Sequence, residues 1–319
     1  MIHLVIPQDP EDDRFRPSLS GHQLFRLGGQ TMGTDWSLSY FAPDDRNMDD
    51  IRHCIEAVFS DIISQMSIWE TGSTISQFNR LCIGSGMELP EAFCETLKLA
   101  LDVAHATDGG FNPCLGTDII RAGFGPDVSL KDAMPDPHSA WRDLSLTGNL
   151  LIRHAPFQLD LSGIAKGYAV DLMADAVQGL GISRFLAEIG GEYKAHGVKP
   201  DGLPWWVDLD PTYGADDRWR LALSNFSVAT SGNTQRFRME HGARISHILT
   251  QVAPDEGADL ASVSVLHPEC GTADAWATGL FAAGATRGLA LANSHRIAAL
   301  FQFHDGPAIP TDPLRPMLH

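Results

Sequence analysis

The stretch Leu159-Asp160-Leu161-Ser162-Gly163-Ile164-Ala165-Lys166-Gly167-Tyr168-Ala169-Val170-Asp171 constrains this chain more than any other. An alternating apolar run from Phe157 enters a short Ser-Gly turn. A helix then begins near Ala165, with Ala169, Val170, Met173, Ala174 and Val177 at helical spacing. The pattern predicts a strand closed by Asp160, a tight turn and a helix in immediate succession. Gly163 and Gly167 leave room for backbone to approach a ligand. Lys166 stands near the helix start, where free N–H groups favour an anion. A carboxylate, glycine carbonyls and a lysine this close together suit a nucleotide, its phosphates and a metal. An ordinary strand-turn-helix with a surface Asp and Lys would carry the same residues, so the stretch needs support from elsewhere.

That support comes from Thr272-Ala273-Asp274-Ala275-Trp276-Ala277-Thr278-Gly279, which opens a long apolar helix running towards Ala292. Asp274 and Thr278 are one helical turn apart and project from one face. A carboxylate beside a hydroxyl is a hard oxygen pair that suits Mg²⁺ better than Zn²⁺. Taken alone, the same residues read equally as a Thr272 N-cap followed by a first-turn acid.

The 319 residues allow one large domain or two intimately packed lobes with ample core. A formal net charge of -17 and the lack of any basic stripe exclude a protein that embraces nucleic-acid phosphates. Cys54, Cys82, Cys94, Cys114 and Cys270 show no CxxC or Cys/His spacing, which predicts buried reduced thiols in place of a disulfide framework. The first residues carry charges and prolines where a signal peptide has a basic start and an apolar core. No apolar run is long enough for a transmembrane segment. The expectation is a cytoplasmic protein, or a periplasmic one if a leader is missing from this sequence.

Residues 1–20 read as a flexible lead-in to a single unit over 21–319. Strands are expected within Leu24 to Tyr40, around the Met32-Gly33-Thr34 turn, then helices over Met48 to Met66 and Pro90 to Thr107. Gly109 to Pro137 is rich in Gly and Pro and reads as loop. A hairpin around Gly148-Asn149 leads to the Asp160 motif and a helix over 165–179. Strands follow near 184–198, 205–210, 219–229, 243–249 and 260–266. The Asp274 helix and a strand from Ile297 to Phe303 close the unit. This order predicts an α+β fold with largely antiparallel sheets.

The chain resembles the ApbE family, the FAD:protein FMN transferases, from about Gln30 to Gln302. The resemblance rests on segments that occur in the family's order. They begin with Thr31-Met32-Gly33-Thr34, then Met66-Ser67-Ile68-Trp69 with Ser76-Gln77-Phe78-Asn79, Thr107 through Pro113, and Gly123-Phe124-Gly125-Pro126. The Asp160 motif, Ile189-Gly190-Gly191-Glu192, Thr230-Ser231-Gly232, Ser246-His247-Ile248 and the Asp274 motif complete them. Any one is weak, since short glycine-rich strings recur by chance. The resemblance implies two packed lobes with the nucleotide in the cleft between them.

It also implies roles. Met32 and Trp69 would flank the flavin, with Trp69 standing where many relatives carry Tyr. Gly110, Phe111 and Asn112 would touch FAD, Asn112 replacing a usual Asp. Asp160 and Lys166 would make further FAD contacts, the lysine towards the phosphates. Mg²⁺ would sit among the Gly163 carbonyl, Asp274 and the Thr278 hydroxyl, and Ala277 takes a place where some relatives have a second carboxylate. Thr230-Ser231-Gly232 reads as a turn at the mouth of the site. Among the 13 histidines, His247 alone has the context of a proton acceptor, and Asp274 shares the catalytic assignment. After His247 the chain departs from the family's usual Asp-Pro-Arg-Thr-Gly loop and reads Ile248-Leu249-Thr250-Gln251.

The leading expectation is therefore Mg²⁺-dependent transfer of FMN from FAD to a Thr or Ser hydroxyl of a target flavoprotein, with release of AMP. One alternative uses water as acceptor, making a Mg²⁺-dependent FAD pyrophosphatase. The other is a non-catalytic FAD-binding or delivery protein, which would need Asp160 and Trp69 but neither Asp274 nor His247.

Overall fold

The structure, a computed structural model, describes residues 2–7, 21–43, 48–126, 139–209, 218–233, 237–240, 243–246, 248–249 and 260–319. Its centre is an eight-stranded sheet in the order β16-β15-β14-β11-β8-β7-β3-β2, antiparallel throughout. The strands are β2 (Gln23–Thr31), β3 (Thr34–Ala42), β7 (Phe185–Ile189), β8 (Glu192–His196), β11 (Ser227–Gly232), β14 (Leu260–His267), β15 (Ala298–Phe303) and β16 (Ile309–Pro310). Side chains alternate across a pleated strand, and here both faces are covered. Ala299 and Phe301 lie in a large core beneath the helices, while Ala298 and Leu300 lie in a second core on the other side.

That second core is closed by a smaller sheet of β1 (Ile2–Val5), β10 (Arg218–Leu223) and β9 (Trp205–Asp208). The stretch expected as a flexible lead-in therefore contributes a strand: Ile2–Val5 pairs in parallel with β10, and Val5 is buried. Residues 8–20 lie outside the described residues. A third sheet joins β4 (Gly86–Glu88), β6 (Leu150–Ile152) and β5 (Ser145–Thr147), and β12 (Phe237–Glu240) forms a hairpin with β13 (Ala243–Ser246).

The helices are α1 (Met48–Met66), α2 (Thr74–Asn79), α3 (Glu91–Ala106), α4 (Gly116–Arg121), α5 (Ala165–Gly179), α6 (Cys270–Ala282) and α7 (Ala285–Ser294), and all but α4 contribute to the large core. In α1 the apolar positions Ile51, Ile55, Phe59 and Ile62 recur at helical spacing and are all buried. By contrast, α6 is apolar nearly all round, which a helix tolerates only inside a core. It is covered by β11 and β14 on one side and by α5, α3 and α7 elsewhere. The long helix expected to run towards Ala292 is two helices, because Gly284 takes a left-handed φ of 75° and turns the chain. Likewise, the strand expected over 219–229 breaks into β10 and β11 at Asn225, whose φ is 58°.

The five cysteines are all free thiols, and among the described residues no helix is long and apolar enough to cross a membrane.

Helices α5 and α6 approach closely because Gly167 has no side chain. A β-carbon there would lie 2.4 Å from the Cys270 carbonyl oxygen and 2.7 Å from the Asp274 β-carbon. Gly167→Ala must therefore push the helices apart. Overpacking of a tight core costs about 1–3 kcal/mol, occasionally more, so thermal melting should show a clear loss of stability. A melting temperature equal to wild type would mean that the two helices separate freely.

Candidate active site

The segment before α5 is extended but unpaired with any strand, contrary to the expected strand through Asp160. It is held instead by side chains and a loop. The Asn79 amide clamps Leu159, its Oδ1 accepting the Leu159 N–H at 2.7 Å and its Nδ2 donating to the Leu159 carbonyl at 2.9 Å. Asp160 N–H donates to the Pro113 carbonyl, and Gly116 N–H donates to that of Gln158. This clamp explains Asn79 in the Ser76–Asn79 segment, a role the sequence alone did not reveal.

Asp160 is buried at the end of this segment. Its Oδ1 accepts the Ser162 N–H at 2.7 Å and so builds the turn into α5, while its Oδ2 is buried without a hydrogen-bond partner among the described residues. Burial raises its carboxyl pKa, and the Ser162 hydrogen bonds oppose that shift. A buried, unpaired acceptor is costly, and a ligand donor would offset the cost.

Asp160 lines a cleft of about 530 Å³ together with Trp69, Gly110, Phe111, Asn112, Gly163, Lys166, Asp274 and Thr278. An adjoining cavity of about 660 Å³ shares Ile68, Trp69, Asp160, Ser162 and Lys166 with it and adds Met32. All the expected site residues that the structure describes thus meet around one continuous hollow. His247 lies outside the described residues.

Each wall has a local cause. Met32 and Gly33 form the tight β2–β3 turn with φ of 49° and 73°, which puts a bulky residue in a left-handed position that usually falls to Asn or Gly. Trp69 stands in a loop with 62% of its surface exposed, so it is not core. Gly110 could not carry a β-carbon, which would lie 2.8 Å from the Gly279 carbonyl. Phe111 is buried with its ring edge against the Gly163 turn, and its N–H donates to Thr107 Oγ1. Asn112 Oδ1 accepts the Cys114 N–H, the same short side-chain turn that Asp160 makes.

On the far wall, α6 presents Asp274 and Thr278 from one face. Asp274 Oδ2 accepts the Gly167 N–H at 2.9 Å. Thr278 Oγ1 lies 3.3 Å from the Gly163 carbonyl oxygen and 2.9 Å from Ser231 Oγ. Gly167 therefore serves helix contact, where the sequence suggested room for a ligand. Ser231 belongs to β11, which runs on through Gly232, so the expected turn at Thr230-Ser231-Gly232 is the end of a strand.

Glu192 closes the Ile189-Gly190-Gly191-Glu192 motif, and its role emerges only from the fold. It follows the Gly190-Gly191 turn, where φ of 59° and 98° forces β8 back sharply. Its Oε1 accepts from Lys166 Nζ at 2.6 Å, and its Oε2 is buried without a partner among the described residues. Burial pushes its pKa up to about 7, with the Lys166 ammonium pulling it down and the Asp274 carboxylate pushing it further up. Asp274 is raised by its own burial too, against Lys166 and the Gly167 N–H.

The family model described as the ApbE family matches residues 32–301. The chain belongs to the ApbE family. Among its relatives, the FAD:protein FMN transferase of Vibrio cholerae is 30% identical over 291 residues, covering 86% of each chain. That of Haemophilus influenzae is 29% identical over 301 residues, covering 86% of this chain and 85% of its own. The apo crystal structure of Pseudomonas stutzeri flavinyl transferase ApbE superposes with a TM-score of 0.81 at 29% identity, over 94% of this chain and 98% of that one. The flavin transferase ApbE of Vibrio cholerae also gives 0.81, at 27% identity, over 93% and 99%. The α+β architecture is thus the fold of ApbE flavin transferases.

Two tests follow from the geometry. Stacking on an aromatic ring is worth roughly 1–3 kcal/mol, so Trp69→Ala should weaken FAD by about tenfold to a hundredfold in a fluorescence titration. Because the ring is exposed, the melting temperature should stay put; unfolding with FAD affinity intact would remove Trp69 from the site. For Glu192, the folded protein holds its proton to about pH 7, whereas an unfolded glutamate loses it near about pH 4.3. Stability of the ligand-free protein should therefore fall as pH rises through that window. Melting curves at about pH 5 and about pH 8 should show a smaller drop in Glu192→Gln. Asp160 and Asp274 shift in the same direction and leave a residual slope. An unaltered drop would show that Glu192 titrates as an ordinary glutamate.

Proposed function

We propose that this chain transfers the FMN half of FAD to a Thr or Ser hydroxyl of a target flavoprotein, with Mg²⁺ and with release of AMP. Its relatives carry the name FAD:protein FMN transferase. The observation that carries the finer reading is the convergence of Asp274, Thr278 and the Gly163 carbonyl beside Asp160 and Lys166.

The donors fit Mg²⁺. Carboxylate, hydroxyl and carbonyl oxygens are hard ligands, and all three donors are of this kind. Among the described residues no three His, Cys, Asp or Glu side chains gather into a metal cage. That agrees with the usual habit of Mg²⁺, which binds through one or two carboxylates plus substrate phosphates. Charge favours the same conclusion. The described lining of the cleft includes Asp35, Asp160, Glu188, Glu192, Asp208 and Asp274, with Lys166 its only Lys or Arg. A pyrophosphate entering so acidic a hollow needs a cation with it. Bound at Asp274, Thr278 and Gly163, Mg²⁺ would neutralise the pyrophosphate and stabilise the departing AMP.

The chain's own residues supply the rest. Lys166, held by Glu192, offers its ammonium to the phosphates, and Trp69 and Met32 flank the flavin. The acceptor hydroxyl oxygen attacks the FMN-side phosphorus, and a new phosphodiester bond forms as the bond to the AMP oxygen breaks. The hydroxyl proton passes to His247, the role the family resemblance gives it. Asp274 is the poorer base, since its carboxylate is engaged by Gly167 and reserved for the metal.

Incubation with FAD, Mg²⁺ and an acceptor flavoprotein should yield protein-bound flavin that survives denaturation, together with AMP. Chelation of the metal or Asp274→Ala should abolish it, as loss of a developing-charge stabiliser costs on the order of a hundredfold or more. Full labelling by Asp274→Ala would refute the metal assignment. AMP released at the same rate without acceptor, and no labelled protein, would instead establish the hydrolytic reading. Binding of FAD with neither product would leave a delivery protein.

A further inference from the structure

Helix α6 carries both side chains of the proposed metal site, yet it begins without a cap of its own. Glu269, at its N-cap, makes no side-chain capping hydrogen bond. The open N–H groups are met from another helix. Asp171 of α5 accepts from Cys270 N–H through Oδ1 at 2.9 Å and from Gly271 N–H through Oδ2 at 2.8 Å. Lys194 of β8 holds the same carboxylate, its Nζ 2.5 Å from Oδ1, in a pair whose side chains are only 16% and 15% exposed. Asp171 lines neither of the two cavities.

Its place in the contact register gives it meaning. Gly163 meets Thr278, Gly167 meets Asp274, and Asp171 meets Cys270. The contacts run from the turn before α5, through its first turn, to its second, and each goes one turn back along α6, so Asp171 is the outermost rung of the ladder whose other rungs form the metal site. A helix is stiff along its axis, and slippage at the third rung displaces Asp274 and Thr278 together against Gly163.

We infer that Asp171 is a positioning residue for the metal site: it caps α6 from α5 and so fixes the height of Asp274 and Thr278 against the Gly163 carbonyl. Lys194 anchors this cap to β8, the strand that also carries Glu192. This inference rests on the Mg²⁺ reading proposed above, and its test separates the two.

The test is a Mg²⁺ titration of the protein–FAD complex, followed by flavin fluorescence, with FAD affinity also measured without metal. Asp171→Asn keeps the shape and one acceptor oxygen. Asp171→Asn/Lys194→Met also removes the lysine left without its counter-ion, which protects folding. Both variants should need roughly three- to thirtyfold more Mg²⁺, the spread a lost helix cap produces. Their metal-free FAD affinity should stay within about twofold of wild type, because the Asp160, Trp69 and Lys166 contacts are untouched. A merely structural role would weaken both affinities in parallel, and that outcome overturns the proposal. So would wild-type Mg²⁺ affinity in folded variants, or failure of both variants to fold. If Mg²⁺ fails to tighten FAD on the wild-type chain, the metal reading itself falls, and this inference with it.

Discussion

The site depends on the way α5 and α6 cap each other. Neither helix supplies its own side-chain cap: Ile164 stands at the N-cap of α5 and Glu269 at that of α6, and neither makes the bond. Asp274 of α6 accepts the Gly167 N–H in the first turn of α5, and Asp171 of α5 accepts the first N–H groups of α6. The arrangement works only because the helices run antiparallel and touch at Gly167. Anions at helix N-termini are favourable on both counts, since they satisfy open donors and meet the positive end of the dipole. One of the two capping aspartates is also the residue we assign to the metal. Structure and chemistry thus share an atom group, and any change that loosens the helix pair should disturb both.

Sharing carries an electrostatic cost. Asp160, Glu192 and Asp274 are all buried, and burial raises all three pKa values. Lys166 partly relieves Glu192 and Asp274, but Asp160 Oδ2 and Glu192 Oε2 remain without partners among the described residues. A domain selected for stability alone would replace such groups by apolar ones of similar volume, which is often neutral or favourable. Retaining them makes sense where a ligand brings the missing donors and cations. The cost is local, because among the described residues Asp160, Glu192 and Asp274 are the only buried acidic or basic side chains.

Much of this was legible in the chain. The helix over 165–179, the helix over 48–66 and the Met32-Gly33 turn follow from short-range patterns, and the structure has them at those places. The expected cofactor and metal residues that are described meet around one hollow, because strongly patterned segments place them in turns, in loops and on one helix face. Other features depend on partners distant in sequence, which periodicity does not encode. The alternating residues before Asp160 look like a strand, but the Asn79 amide takes the backbone bonds a neighbouring strand would have made. Apolar residues continue past Gly284, yet a single left-handed glycine ends the helix. In sequence, Glu192 and Asp171 stand in their motifs with no partner in view. Only the fold shows their lysine partners, Lys166 and Lys194, both on the shared α5–β8 face.

That face links the two halves of the proposed chemistry. Lys166 and Asp171 are carried on α5, and Glu192 and Lys194 on β8, so each element offers one acid and one base to the other. The inner pair, at the cleft, holds the ammonium that would meet the phosphates. The outer pair holds the cap that sets the height of α6. Such partly buried pairs contribute little net stability, since desolvation cancels most of the attraction, but each fixes one geometry because its partners have few alternatives. The sheet therefore supports the site by orientation more than by energy. It aligns Lys166 and helix α6, the two elements we assign to the phosphates and the metal, through two bonds on a single short strand.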